Sequence, residues 1–157
     1  MTRLDGAVVL VLGASGGLGR LIADELESRG AQAVRSGRDA AALGAEPLVA
    51  DLRGEDAPRR VIGEVLARHG RLDGVIVASG VVAFGPSAEL DPAVLEELVE
   101  VNALAPIRLL TAAFEALSQS AGEGARRSPS RSVESSPRRR PPVSPRTRRR
   151  RPPCTPS

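Results

Sequence analysis

The sequence predicts an α/β protein: a parallel sheet with flanking helices. Three observations carry that expectation: aliphatic runs that read as buried strands, helical apolar spacings alternating with them, and a glycine cluster closing the first strand. At 157 residues the chain is long enough for one domain core, but it divides into two compositions. Residues 1–118 hold 11 Arg against 17 Asp and Glu, whereas residues 119–157 hold 11 Arg against 2 Glu, together with 8 Pro and 8 Ser. The first stretch is expected to be an incomplete domain of about four strands. The second is expected to be a disordered basic tail, because it has almost nothing aliphatic to bury.

Ala7 to Leu12 is a continuous aliphatic run stopping at Gly13, the pattern of a strand covered on both faces. Leu18, Leu21, Ile22 and Leu26 then recur with helical spacing up to Gly30, a natural C-terminal stop. Ala31 to Val34 is a second, short strand; residues 39–45 form a short helix, and Pro47 to Ala50 a third strand ending at Asp51. A helix follows from Pro58 to His69, with Val61, Val65 and Leu66 as its apolar stripe and Pro58 in its first turn. Val75 to Ala78 is the fourth strand, ending at Ser79-Gly80. The longest helical pattern runs from Pro92 to Leu117, with Leu95, Leu98, Val99, Ile107, Leu110 and Phe114 on one side; Pro106 inside it requires a bend or a local accommodation.

Absent residue types exclude several chemistries. All 22 basic residues are Arg, and there is no Tyr, so neither an amine nor a phenol is available from a side chain. A single Cys154 and a single His69 exclude an internal disulfide and a Cys/His zinc cluster, so no metal site is expected. His69, at a helix end, reads as a surface residue. The apolar run at Ala7 is far shorter than a membrane span and lacks the flanks of a secretory signal. A cytoplasmic protein with no membrane association is therefore expected.

Gly13-Ala14-Ser15-Gly16-Gly17-Leu18-Gly19 lies between the first strand and the first helix. Glycines in that context permit a tight turn, close approach of a pyrophosphate to the main chain, and close packing of helix on strand; the free amides of the helix start then face the anion. This is the arrangement of a Rossmann-like domain, and dinucleotide is the expected partner. A phosphate-binding loop of the kind that needs Lys is excluded. Arg35-Ser36-Gly37-Arg38 stands after the second strand, where an acidic residue would accept from the ribose of NAD and an Arg suits the added phosphate of NADP. NADP is favoured over NAD, chiefly through Arg38. Asp39 lies slightly late for the acidic role, and the alternative for Arg35 and Arg38 is solvated surface charge. Asp51 is placed to reach the adenine end, with capping of the following helix as its alternative.

These landmarks resemble the short-chain dehydrogenase/reductase family over residues 4–118. Gly13 to Gly19 is similar to its cofactor turn, and Asp51-Leu52 to its adenine-contacting acidic position. Ala78-Ser79-Gly80 is similar to its Asn-Ala-Gly turn, with Ser79 a departure, and Asn102 to its helical Asn, which supports a proton-relay water. The resemblance implies oxidation of an alcohol or reduction of a carbonyl with NAD(P), in a homodimer or homotetramer. The cofactor-binding set it implies is Gly13, Ser15, Gly16, Gly17, Leu18, Gly19, Arg38, Asp51, Leu52, Ala78, Ser79 and Gly80. It also implies a Ser and a Tyr-x-x-x-Lys pair as the reacting groups, and a chain without Tyr or Lys cannot supply the latter two. Asn102 is then a remnant of the relay, and catalytic inactivity of the chain as given is expected.

Two alternatives concern residues 119–157. The arginines would attract phosphates, making the tail a nucleic-acid or anion binder, yet no aromatic residues are interleaved for stacking, and nucleic acid is not the expected partner. The other is a frameshifted, truncated dehydrogenase, because an Arg/Pro/Ser mixture is what GC-rich coding DNA gives out of frame. Synonymous codons exist for Pro145 to Thr155 that, read from the third base, give Ala-Tyr-Ser-Ala-Ser-Lys-Ala-Ala-Leu-His, with Tyr and Lys at the family's separation.

Overall fold

Val8–Leu12 (β1) is buried along its whole length, and its alternating side chains feed two separate cores. The computed structural model of the chain describes residues 4–86 and 90–127; residues 128–157, most of the expected tail, lie outside the described residues. After β1 come Gly17–Ser28 (α1), Gln32–Gly37 (β2), a 3-10 turn over Ala40–Ala42, Leu48–Val49 (β3), Ala57–His69 (α2) and Gly74–Val77 (β4). Pro92–Val99 (α3), a π-helical turn over Glu100–Leu104, and Ala105–Arg127 (α4) complete the order. The strands form one parallel sheet in the order β3-β2-β1-β4. Val8, Leu10 and Leu12 pack with α2 and α4 on one face, and Val9 and Val11 pack with Ala23 of α1 and Leu43 on the other. The expected fold class, a four-stranded Rossmann-like sheet with flanking helices, is the one found.

Helix ends and strand starts are fixed by local chemistry. Gly30 closes α1 with a φ of 86°, and Gly70 caps α2 with a φ of 72° while its N–H donates to the Leu66 carbonyl. Asp73 sets the start of β4 beside β1, accepting from the Val8 N–H at 2.8 Å and from Arg71 Nε at 2.7 Å. Burial raises the Asp73 pKa, but these two donors outweigh it and leave it below the usual carboxylate value.

Several boundaries differ from expectation. β2 runs three residues further than Val34, because Arg35 is held by α1 and Ser36 pairs with both neighbouring strands. The helix expected over 39–45 is only the 3-10 turn, capped by Asp39, whose side chain accepts from the Ala41 N–H at 3.0 Å. The long helix expected from Pro92 to Leu117 is three segments. Pro106 has no N–H for the Asn102 carbonyl four residues back, and the π-helical turn before it absorbs the lost bond; Arg108 and Glu100 form an ion pair across it.

The apolar stripe read from that helix is also corrected. Ile107, Leu110 and Phe114 are exposed, as are Leu95 and Val99, whereas Ala105, Leu109, Ala113 and Ala116 face the core. The small Ala side chains let α4 approach α2 and the sheet closely, an advantage that hydropathy does not register. Residue 118 is not the end of ordered chain either: α4 continues through Arg127, and buried Ser120 accepts from the Leu72 N–H at 3.2 Å. Reading residues 119–157 as one compositional block hid the helix-forming Gln119 to Ala125 at its start.

Candidate functional site

The strand order places β1 between β2 and β4, so chain connections leave in opposite directions at the carboxyl end of β1, and a crevice opens there. A cleft of about 280 Å³ occupies it. Its walls include Gly13, Ser15 and Gly16 from the first turn, Arg38 after β2, Asp51 and Leu52 after β3, and Ala78 to Gly80 after β4. Four segments separate in sequence thus converge on one space, as expected.

The glycines divide by role. Gly13 has a φ of 76°, and a Cβ there would stand 2.6 Å from the Ser79 nitrogen and 2.7 Å from the Ala78 carbonyl carbon. A Cβ on Gly19 would stand 2.2 Å from the Gly13 oxygen. Both are demanded by the packing of the protein on itself. Gly17 differs, since a Cβ there meets nothing within 4 Å. Space is therefore kept at the first residue of α1. Gly16, which precedes it, supplies no side-chain cap, so the first amides of α1 are left for another acceptor. Leu18 is 66% exposed and is not among the residues lining the cleft; any contact it makes there belongs to its main chain.

The two arginines after β2 also divide. Arg35 turns to α1, bonding Asp24 at 2.6 Å and Glu27 at 3.0 Å, which raises its pKa and makes it a structural clamp. Arg38 lines the cleft, near enough to Asp51 to help lower its pKa through space. The main cause of that lowering is Arg53, whose Nε lies 2.9 Å and 3.0 Å from the two Asp51 carboxylate oxygens, with partial burial opposing. Asp51 also accepts from the Arg53 N–H at 3.1 Å, so it caps a tight turn rather than α2. Arg53 Nη1 stands 3.8 Å from Glu97, which connects this turn to α3.

Asn102 sits in the π-helical turn and clasps the segment after β4. Its Nδ2 donates to the Val81 carbonyl at 2.8 Å and its Oδ1 accepts from the Val81 N–H at 2.9 Å. Its position beside Gly80 agrees with the expected register, but here its amide positions a main chain. His69 ends α2, away from the cleft. Cys154 lies outside the described residues. Among the described residues no group of acids, His or Cys is arranged to hold a metal, and no helix is long and apolar enough to cross a membrane.

Sequence reasoning missed Leu12, Ser36, Gly37, Ala50, Arg53, Val81, Val101, Ala105 and Pro106 as cleft walls. The strand-terminal ones were legible from their place at the carboxyl ends of strands. Val101, Ala105 and Pro106 carried no signal, because only the break in the long helix turns them inward.

A glycine-cradled crevice at the switch point of a parallel sheet defines a dinucleotide-binding type of α/β protein, and the residues present fit such a ligand: open space at Gly17, uncapped amides, and an Arg on the wall. The short chain dehydrogenase family matches residues 7–125, and the chain belongs to that family. It is 30% identical to elsinochrome reductase 1 of Elsinoe fawcettii over 135 residues, covering 74% of this chain and 49% of that protein. It is 34% identical to versicolorin reductase 1 of Aspergillus parasiticus over 113 residues, covering 64% and 43%. A metagenomic short-chain oxidoreductase solved in complex with NADP superposes with a TM-score of 0.69 at 36% identity, covering 76% of this chain and 60% of that one. The chain thus spans about half the length of the curated relatives it matches.

Proposed function

We propose that the described residues form the cofactor-holding half of an oxidoreductase, binding NADP in preference to NAD. The carrying observation is the meeting of the Gly13–Gly17 turn, Arg38 and the Asp51-Leu52 segment on one cleft. The bound nicotinamide would supply hydride transfer; the residues of this chain bind and orient the dinucleotide. Arg38 supports the preference for NADP, since a guanidinium pairs well with a phosphate.

The 157-residue chain performs no alcohol or carbonyl turnover in this reading, because it has no Tyr or Lys to move a proton at the substrate oxygen. The family activity belongs instead to a full-length form in which the reading frame downstream supplies that pair, and the composition break supports it. Exposed Ile107, Leu110 and Phe114 support a homo-oligomer of that form. Anion collection by the arginine tail is the competing explanation for any dinucleotide uptake.

The test is titration of NADPH and NADH into the full chain and a Gly17→Val variant at about 0.15 M salt, where non-directional attraction is screened beyond about 8 Å. Saturable NADPH binding that the valine abolishes is expected. Uptake that survives the valine and collapses with added salt would overturn the reading.

A further inference from the structure

Ser36 is 1% exposed, and its Oγ has no hydrogen-bond partner among the described residues. Buried hydroxyls are nearly always paired, so an orphan of this kind points to a partner the chain does not itself provide. Its surroundings explain why none is found within the fold. In sheet register Ser36 stands between Leu12 of β1 and Leu48 of β3, both buried and apolar. Its main-chain carbonyl is already engaged, accepting from the Ala14 N–H at 3.0 Å and thereby tying β2 to the glycine turn.

Ser36 is also part of the cleft wall, grouped there with Leu12, Ala50 and Leu52. Those three neighbours make an apolar floor suited to a flat base, and the Ser36 hydroxyl is the polar point within it. The carboxyl end of the second strand is where the adenosine side of a dinucleotide lies in sheets of this order, and Arg38 follows two residues later. We propose that Ser36 Oγ hydrogen-bonds the adenosine end of the bound dinucleotide, making it a binding residue outside the glycine turn and the acidic position. The inference rests on the dinucleotide reading above.

Ser36→Ala removes the hydroxyl with almost no change in volume, so binding and folding separate cleanly. In the full chain the alanine variant should melt at the same temperature as the parent or higher, because an unpaired buried hydroxyl is lost. Titrated with adenosine 2′,5′-bisphosphate and with NADPH, it should bind both about three- to tenfold more weakly, the value of one neutral hydrogen bond. Equal affinity in the two proteins would overturn the proposal and leave the dinucleotide reading standing, the hydroxyl then being met by water. A lower melting temperature with equal affinity would assign Ser36 to the fold alone. A parent chain that binds neither ligand would overturn both.

Discussion

Asn102 and Val81 are joined by two hydrogen bonds, one amide side chain pairing with both main-chain groups of one residue as a neighbouring strand would. The π-helical turn before Pro106 carries Asn102, so the irregular stretch of helix is what holds the segment after β4 in place. Asn102→Leu keeps the size and removes both bonds. It should weaken NADPH binding about tenfold while costing about 1–2 kcal/mol of stability, read by titration and by denaturant unfolding. Unchanged affinity would show that the Ala78–Val81 segment is held without it.

Gly13 and Gly17 should respond oppositely to alanine. Gly13→Ala combines a positive φ with a main-chain clash and should cost about 3–5 kcal/mol, enough to unfold a domain of ordinary stability. Gly17→Ala meets no protein atom and should stay within about 0.5 kcal/mol of the parent. Thermal melts of the two variants check this; equal destabilisation would mean that the turn at Gly17 is as closed as that at Gly13.

Arg38→Gln removes the cleft-wall cation without disturbing the clamp that Arg35 makes on α1. NADPH affinity should fall about tenfold or more, as for a lost charge-assisted hydrogen bond, with NADH affinity unchanged. Parallel calorimetric titrations decide it, and an equal loss for both cofactors would remove the phosphate role.

Asp73 ties the start of β4 to β1, and its folded pKa lies below its unfolded value. Its contribution is therefore present above the unfolded pKa of about 3.9 and is lost as pH falls through the folded one. Asp73→Asn should lower stability by about 1–2 kcal/mol at pH 7, and the difference from the parent should shrink below about pH 4. Urea midpoints across this range test it, and a difference independent of pH would place the effect outside the charge.

Downstream of the codon for Arg127, the gene read in the alternative frame should encode two further strands and a Tyr-x-x-x-Lys helix. Resequencing the locus is the measurement. A confirmed frame with no such alternative would return residues 128–157 to a genuine basic tail and leave the missing Tyr and Lys to be explained otherwise.

The local chemistry of this protein was legible in its amino acids. An aliphatic run of five or six residues ending at glycine has few conformations that bury it, and Gly13 to Gly19 after such a strand has one familiar use, so β1, the turn and α1 follow from short-range rules. The family resemblance extended that reading to Asp51, Gly80 and Asn102, and the absence of Tyr and Lys was visible by inspection. What required the tertiary structure were choices among neighbours. Helical spacing marked two apolar faces on α4, and only the close approach to α2 selected Ala105, Leu109 and Ala113 over Ile107, Leu110 and Phe114. Two arginines stood after β2, and the acids on α1 selected Arg35 for the fold while leaving Arg38 to the cleft. Ser36 became conspicuous only when β1 and β3 closed around it with leucines, because burial and the lack of a partner are relations between residues distant in sequence.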